Sequence, residues 1–151
     1  MSLNFAALTA KVSNKVTNVA DRRCVLSAAV AQYIANCLPL PSSCVDDLEN
    51  HYNMNVKSQV LDTLGPLNEQ LVLDVKVVQD YTRKYWLLRY NTLYPVSAVK
   101  TYHSATYGYF DTMMGVGVYI DPEQHAFVNQ YKMEILEAYK DLCLMDETVE
   151  A

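Results

Sequence analysis

Apolar residues return every three or four positions along most of this chain, and that period limits its fold more than any other feature. Phe5, Leu8, Val12, Val16 and Val19 would line one face of a helix, and Leu26, Val30, Tyr33 and Cys37 another after a break near Asp21. Leu71, Val75, Val78, Tyr81, Tyr85 and Leu88 continue the step, which predicts one long helix over residues 68–93. Only four glycines and five prolines occur in 151 residues, so tight turns are few and regular elements long. The chain reads as all-α: a single domain over residues 1–151, an irregular bundle of five or six helices. A short extended segment is expected near residues 115–120, where GVGVYI interrupts the period, and an acidic tail over residues 146–151.

Local punctuation places the remaining boundaries. PLPSS, residues 39–43, stops the second helix, because proline donates no intrahelical bond and disfavours helix at its predecessor. Ser43 followed by Asp46 starts a brief third helix, and HYNMN, residues 51–55, reads as a loop. Gly65 and Pro66 together predict the end of a fourth. LVLDVKVV, residues 71–78, alternates as a strand would, but the longer period carries on into the tyrosines and favours helix. Val99, Tyr102, Thr106, Phe110 and Met113 suit a further helix, weakened by Gly108. DPEQ, residues 121–124, is the clearest helix start, with Phe127, Tyr131, Ile135, Ala138, Leu142 and Met145 as the face of a long C-terminal helix. The closing DETVE is expected to be solvated.

A chain of this length buries roughly 68 to 70% of the surface its unfolded form exposes, enough to fold without a staple. Its net charge of -5 gives no general attraction to nucleic acid, and Arg83, Lys84, Arg89 and Lys100 among the aromatics make too weak a basic footprint to change that. The charge alternates in blocks of +3, -5, +3 and -6 over residues 1–40, 41–80, 81–120 and 121–151. Such blocks can meet across two copies or lie beside each other in one fold, and the second reading is the simpler. The longest apolar run, Val25 to Leu38, is too short for a bilayer and carries Gln32 and Asn36, so no membrane span is expected. The acid-poor N-terminus with Lys11 and Lys15 is read as part of the mature protein.

No motif carries chemistry. Cys24, Cys37, Cys44 and Cys143 are widely spaced, as buried structural thiols are, and Cys37, Cys44 and His51 lack the close pairs that zinc sites use. His103, Ser104 and Asp111 include the residue types of a triad but would point around a helix, and His125 suits a first-turn surface position. Gly115 and Gly117 lack the rest of a phosphate loop, and Glu134 with Glu137 lacks the histidine of a di-metal site. The sequence therefore predicts no catalytic residue, no metal and no cofactor.

What stands out is a belt of phenols: eight of twelve tyrosines fall in residues 81–119. Tyrosine suits places that are dry at one end and wet at the other, either the rim of a helical core or a protein interface. The belt is expected to form an interface built by Tyr81, Tyr85, Trp86, Arg89 and Tyr90, continued by Tyr94, Tyr102, Tyr107 and Tyr109. Its partners would be other protein subunits of one assembly, including copies of itself. A chain ordered from Met1 to Ala151 would suit a large particle, by analogy a virion, as a bacteriophage neck, connector or capsid accessory protein. The alternatives are an accessory subunit of an organellar or membrane complex, intracellular and soluble or peripheral, or a ligand-binding protein or enzyme around Tyr102, His103, Tyr107 and Tyr109.

Overall fold

Asn18 sets the first corner of the molecule. In the computed structural model, which describes residues 4–41, 48–93, 109–111, 118–120 and 122–150, α1 spans Phe5–Lys15 and α2 spans Val19–Cys37. Asn4 caps α1 by accepting from the Ala7 amide at 3.0 Å, and Asn18 caps α2 by accepting from the Asp21 amide at 3.1 Å. The break therefore falls at residues 16–18, ahead of the position near Asp21 that periodicity gives, because a capping side chain outweighs apolar spacing there.

Helix α2 is the hub. Val25 through Ala31, Ile34 and Ala35 are all buried, and the small residues Ala28, Ala29, Ala31 and Ala35 let neighbours approach on several sides. It packs against α1 and against the helices Lys57–Leu71, Val75–Leu93 and Lys132–Glu150. It ends at Cys37, with Leu38 extended before Pro39, as the proline run predicts.

Helix α3, Leu48–Asn55, and helix α4, Lys57–Leu71, follow with only Val56 between them. Two sequence expectations fail here. HYNMN is helix rather than loop: Tyr52 is buried with its ring 5.3 Å from that of Trp86, and this packing overrides weak local propensity. Helix α4 also runs straight through Gly65 and Pro66. Leu61, Asp62, Thr63, Gly65 and Pro66 are exposed, so the carbonyl that proline leaves without its amide donor faces water, while Leu64 and Leu71 keep the opposite face buried.

The real end of α4 is Val72, at φ 54° and ψ 69°. Its amide donates to the Asn68 carbonyl at 3.0 Å, and the Leu73 amide donates to the Asn68 side chain at 2.8 Å. The turn swings Val72 outward and buries Leu73. Asp74 then caps α5, Val75–Leu93, accepting from the Val77 amide at 3.2 Å. The single helix predicted over 68–93 is thus two, because Leu71 and Leu73 both enter the core and one continuous helix would place them on different faces.

Helices α2 and α5 run parallel. At one end the Asp74 amide donates to Ser27 Oγ at 2.8 Å, and at the other the Trp86 indole donates to the Pro39 carbonyl at 3.0 Å. Adjacent parallel helices need a long return, and α3 with α4 supplies it.

Strands β1, Tyr109–Asp111, and β2, Val118–Ile120, pair antiparallel with Phe110 opposite Tyr119, and β2 lies against α5. The expected extended segment is present over 118–120. The helix expected through Phe110 is not: 109–111 is strand, in keeping with the preference of tyrosine and phenylalanine for pleated surfaces. The other positions of that predicted helix lie outside the described residues.

The C-terminal helix is divided at Tyr131 into α6, Pro122–Gln130, and α7, Lys132–Glu150, although the Tyr131 and Ile135 amides keep the hydrogen-bond ladder going. The expected solvated tail is helical to Glu150. Val128, Ile135, Ala138 and Leu142 bring this arm into one core with α1, α2, α4 and α5. The fold is all-α, with seven helices among the described residues.

Candidate functional site

The aromatic belt is where the sequence points first. On α5 the first members face inward: Tyr81, Tyr85 and Tyr90 are buried, and Trp86 has 0% of its surface exposed. Trp86 is surrounded by the rings of His51, Tyr52 and Tyr90, with centroids 6.2, 5.3 and 6.1 Å away. Tyr81 and Tyr85 meet edge to face at 6.2 Å. Burial pushes the Tyr52 hydroxyl up to about 12, with Arg83 opposing and Asp80 adding, and burial alone raises that of Tyr85. The four rings of α5 expected at an interface are therefore core residues. Tyrosines at helical spacing cannot by themselves tell rim from core, because the deciding neighbours, His51 and Tyr52, come from a stretch that reads as loop.

Arg89, the one cation in the expected interface, is committed as well. Its Nη1 donates to the carbonyls of Ala35, at 2.9 Å, and Leu38, acceptors that the end of α2 leaves open. Arg22 treats α1 the same way: Nε donates to the Val16 carbonyl at 2.5 Å and Nη2 to that of Thr17 at 2.9 Å. Arg23 Nη2 reaches the Leu73 carbonyl, just beyond α4, at 3.5 Å. Three arginines thus serve three helix ends, where positive charge also opposes the helix dipole. Tyr94, Tyr102 and Tyr107, with His103 and Ser104, lie outside the described residues, and Tyr109 and Asp111 are placed only as backbone in β1.

A different surface emerges at the corner between α4 and α5. Val72 is 66% exposed in its left-handed conformation, Val75 is partly exposed, and Val19 is 73% exposed one turn before Arg23 on α2. The bonds from Arg23 to Leu73 and from Asp74 to Ser27 hold α2 against this corner beside Val72 and Val75, and Val19 stands two turns before Ser27 on the same helix. Val72 is the only non-glycine residue with positive φ among the described residues.

The cleft between α1 and α7 is lined by Lys11, Val12, Lys15, Glu134, Glu137, Ala138 and Asp141 and has a volume of about 10 Å³, room for about one water. Four of its five charges form two ion pairs: Lys11 Nζ donates to Asp141 at 3.0 Å and Lys15 to Glu137. The Lys15 ammonium holds the Glu137 carboxyl below its usual range. Basic residues of the first block here meet acidic residues of the last within one fold.

The thiols of Cys24, Cys37 and Cys143 carry no disulfide, and Cys44 lies outside the described residues. His51 stacks on Trp86 and its Nδ1 lies 3.3 Å from Asn55 Nδ2. No group of three or more metal-ligating side chains occurs among the described residues, and no helix there is long and apolar enough to cross a membrane. No protein-family model, curated protein or solved structure matches the chain.

Proposed function

We propose that this protein is a non-catalytic subunit of a larger protein assembly and that it contacts a neighbouring subunit through the corner formed by Val19, Val72 and Val75. The observation that carries the reading is Val72. A left-handed residue at the end of α4 is what this turn requires, and glycine or asparagine would supply it with little strain, whereas an L-residue with a branched side chain adopts it at a cost of about 1 to 2 kcal/mol. The turn buries Leu73, but the exposed Val72 side chain itself adds no apolar burial to the chain, and Val19 and Val75 are exposed as well. A partner that covers the corner gains apolar area there.

Size and helical character suit a virion subunit, and a phage neck, connector or capsid accessory role is the particular form we favour. The reading moves the contact away from the tyrosines of α5, which the fold consumes internally. Its test is the Val19→Ser, Val75→Ser double variant, compared with the unaltered chain by sedimentation and by crosslinking within its native assembly. Both substituted side chains are exposed, so folding is expected to survive. Loss of the contact is the expected outcome. Retention of every crosslink and of the sedimentation profile, in a variant that folds normally, overturns the assignment of this corner.

A further inference from the structure

Helix α1 lies in a groove formed by α2, α4 and α7. Leu8, Val12 and Val16 are buried there with Phe5 partly buried at the edge, so a single apolar stripe does the packing. The hydroxyls of α1 are spent inside the helix: Thr9 Oγ1 donates to the Phe5 carbonyl at 2.9 Å, and Ser13 Oγ to the Thr9 carbonyl at 2.8 Å. What reaches across is charge. Residues 5–15 contain two lysines and no acid, and α7 presents Glu134, Glu137 and Asp141 to the same seam. Lys11 takes Asp141 and Lys15 takes Glu137, all partly exposed. An acid-free amphipathic helix thus meets an apolar groove with an acidic edge, complementary in both burial and charge.

The joint between α1 and α2 is built to open. Val16 has φ -116° and ψ 110°, and Asn18 has φ -77° and ψ 125°, so both are already extended and straightening the joint demands no strained backbone from either. Each helix also carries its own start. Asn4 caps α1 and Asn18 caps α2, so neither loses its cap when the two part. What fixes the direction of the joint is Arg22, which reaches back from α2 to the carbonyls of Val16 and Thr17.

We propose that this groove is a docking site shared between copies of the chain: α1 of one copy swings out on residues 16–18 and fills the groove of a second, whose own α1 fills the first. The burial of Leu8 and Val12 and the pairs made by Lys11 and Lys15 are then remade with identical residues, and exchange of an identical element is a low-cost route to a dimer. The bonds from Arg22 to the joint are given up. Arg22 is therefore the catch that keeps α1 on its own copy. Dilution favours the closed chain, whose α1 is tethered at high effective concentration, and close packing of copies favours exchange. The exchange needs no contact at Val19, Val72 or Val75.

The experiment mixes unlabelled and heavy-isotope copies of the full chain at high concentration, separates them by size, and treats them with a carbodiimide, which joins a lysine amine to a carboxylate in contact. Mass spectrometry of the dimer fraction is expected to show Lys11–Asp141 and Lys15–Glu137 peptides that combine one labelled and one unlabelled partner. Arg22→Met should raise the dimer fraction several-fold. Deletion of Thr17, which shortens the joint so that α1 cannot fold back, should move the chain to twice its monomer mass with helicity retained. Val19→Ser with Val75→Ser should leave the exchange unchanged, which separates this site from the contact proposed at the corner. Absence of mixed-label pairs from the unaltered chain, or an Arg22→Met chain no more dimeric than the unaltered one, overturns the proposal.

Discussion

The seam between α2 and α5 and the seam between α1 and α7 close the same bundle by opposite means. The first is dry. It buries Trp86, Tyr90 and Val78 in one core with Val30, Ile34 and Ala35, and its principal polar links from α5 to the α2 chain end on backbone carbonyls of Ala35, Leu38 and Pro39. The second is edged with water, and its ladder of Lys11 with Asp141 and Lys15 with Glu137 joins flexible, partly exposed side chains. A donor aimed at a helix end meets a fixed acceptor that the helix leaves open, whereas an exposed ion pair replaces two hydrated charges at little net gain. The polar links of the first seam therefore carry stability that the ion pairs of the second do not.

The comparison breaks most readily at Trp86. Trp86→Ala removes the largest fully buried side chain and the bond to Pro39, and it should lower unfolding free energy by about 3 to 5 kcal/mol in denaturant titration. A loss comparable with that of a surface substitution would mean the seam is not where stability resides. Arg89→Met comes next: it keeps the apolar stem but strands the carbonyls at the end of α2, for an expected loss of about 1.5 to 3 kcal/mol.

Alkaline titration sharpens the same seam through Tyr52, which packs on Trp86. Its hydroxyl is held at about 12 in the fold, whereas a tyrosine in an unfolded chain titrates near 10. The unfolded state therefore gives up its proton first. The contribution is complete below about pH 10 and is lost as pH rises towards about 12. Tyr52→Phe should flatten that stretch of the stability curve, and an unchanged slope would remove Tyr52 from the account.

The smallest effect belongs to the other seam. Lys11→Ala should barely move the denaturation midpoint at low salt and not at all at high salt, since ions screen exposed pairs. A large loss that persists in salt would erase the distinction between the seams.

How much of this was legible beforehand follows the same division. Period and proline placed α1, most of α2 and the start of α6, because those signals are local. The all-α class was legible for the same reason. What local signals missed were choices made by the core. Residues 51–55 become helix because Tyr52 reaches Trp86, and α4 ignores Gly65 and Pro66 because both lie on its solvent side. The helix read over 68–93 divides so that Leu71 and Leu73 can both be buried. The site suffered most: aromatic spacing assigned the rings of α5 to an interface, whereas they are buried in the core, because spacing does not say which way a ring faces. The valine corner left one trace in the sequence, the apolar run LVLDVKVV over residues 71–78, whose strand-like alternation is outweighed by the helical period on either side of the turn.

Trp86 is the sole tryptophan, so its fluorescence reports directly on whether the belt is core or surface. The isolated chain, diluted until it is monomeric, is titrated with iodide while the emission of Trp86 is followed. A buried Trp86 gives blue-shifted emission that resists quenching until the chain unfolds. Red-shifted, readily quenched emission from a folded monomer would contradict it, and would return the aromatic face of α5 to the surface as a contact site.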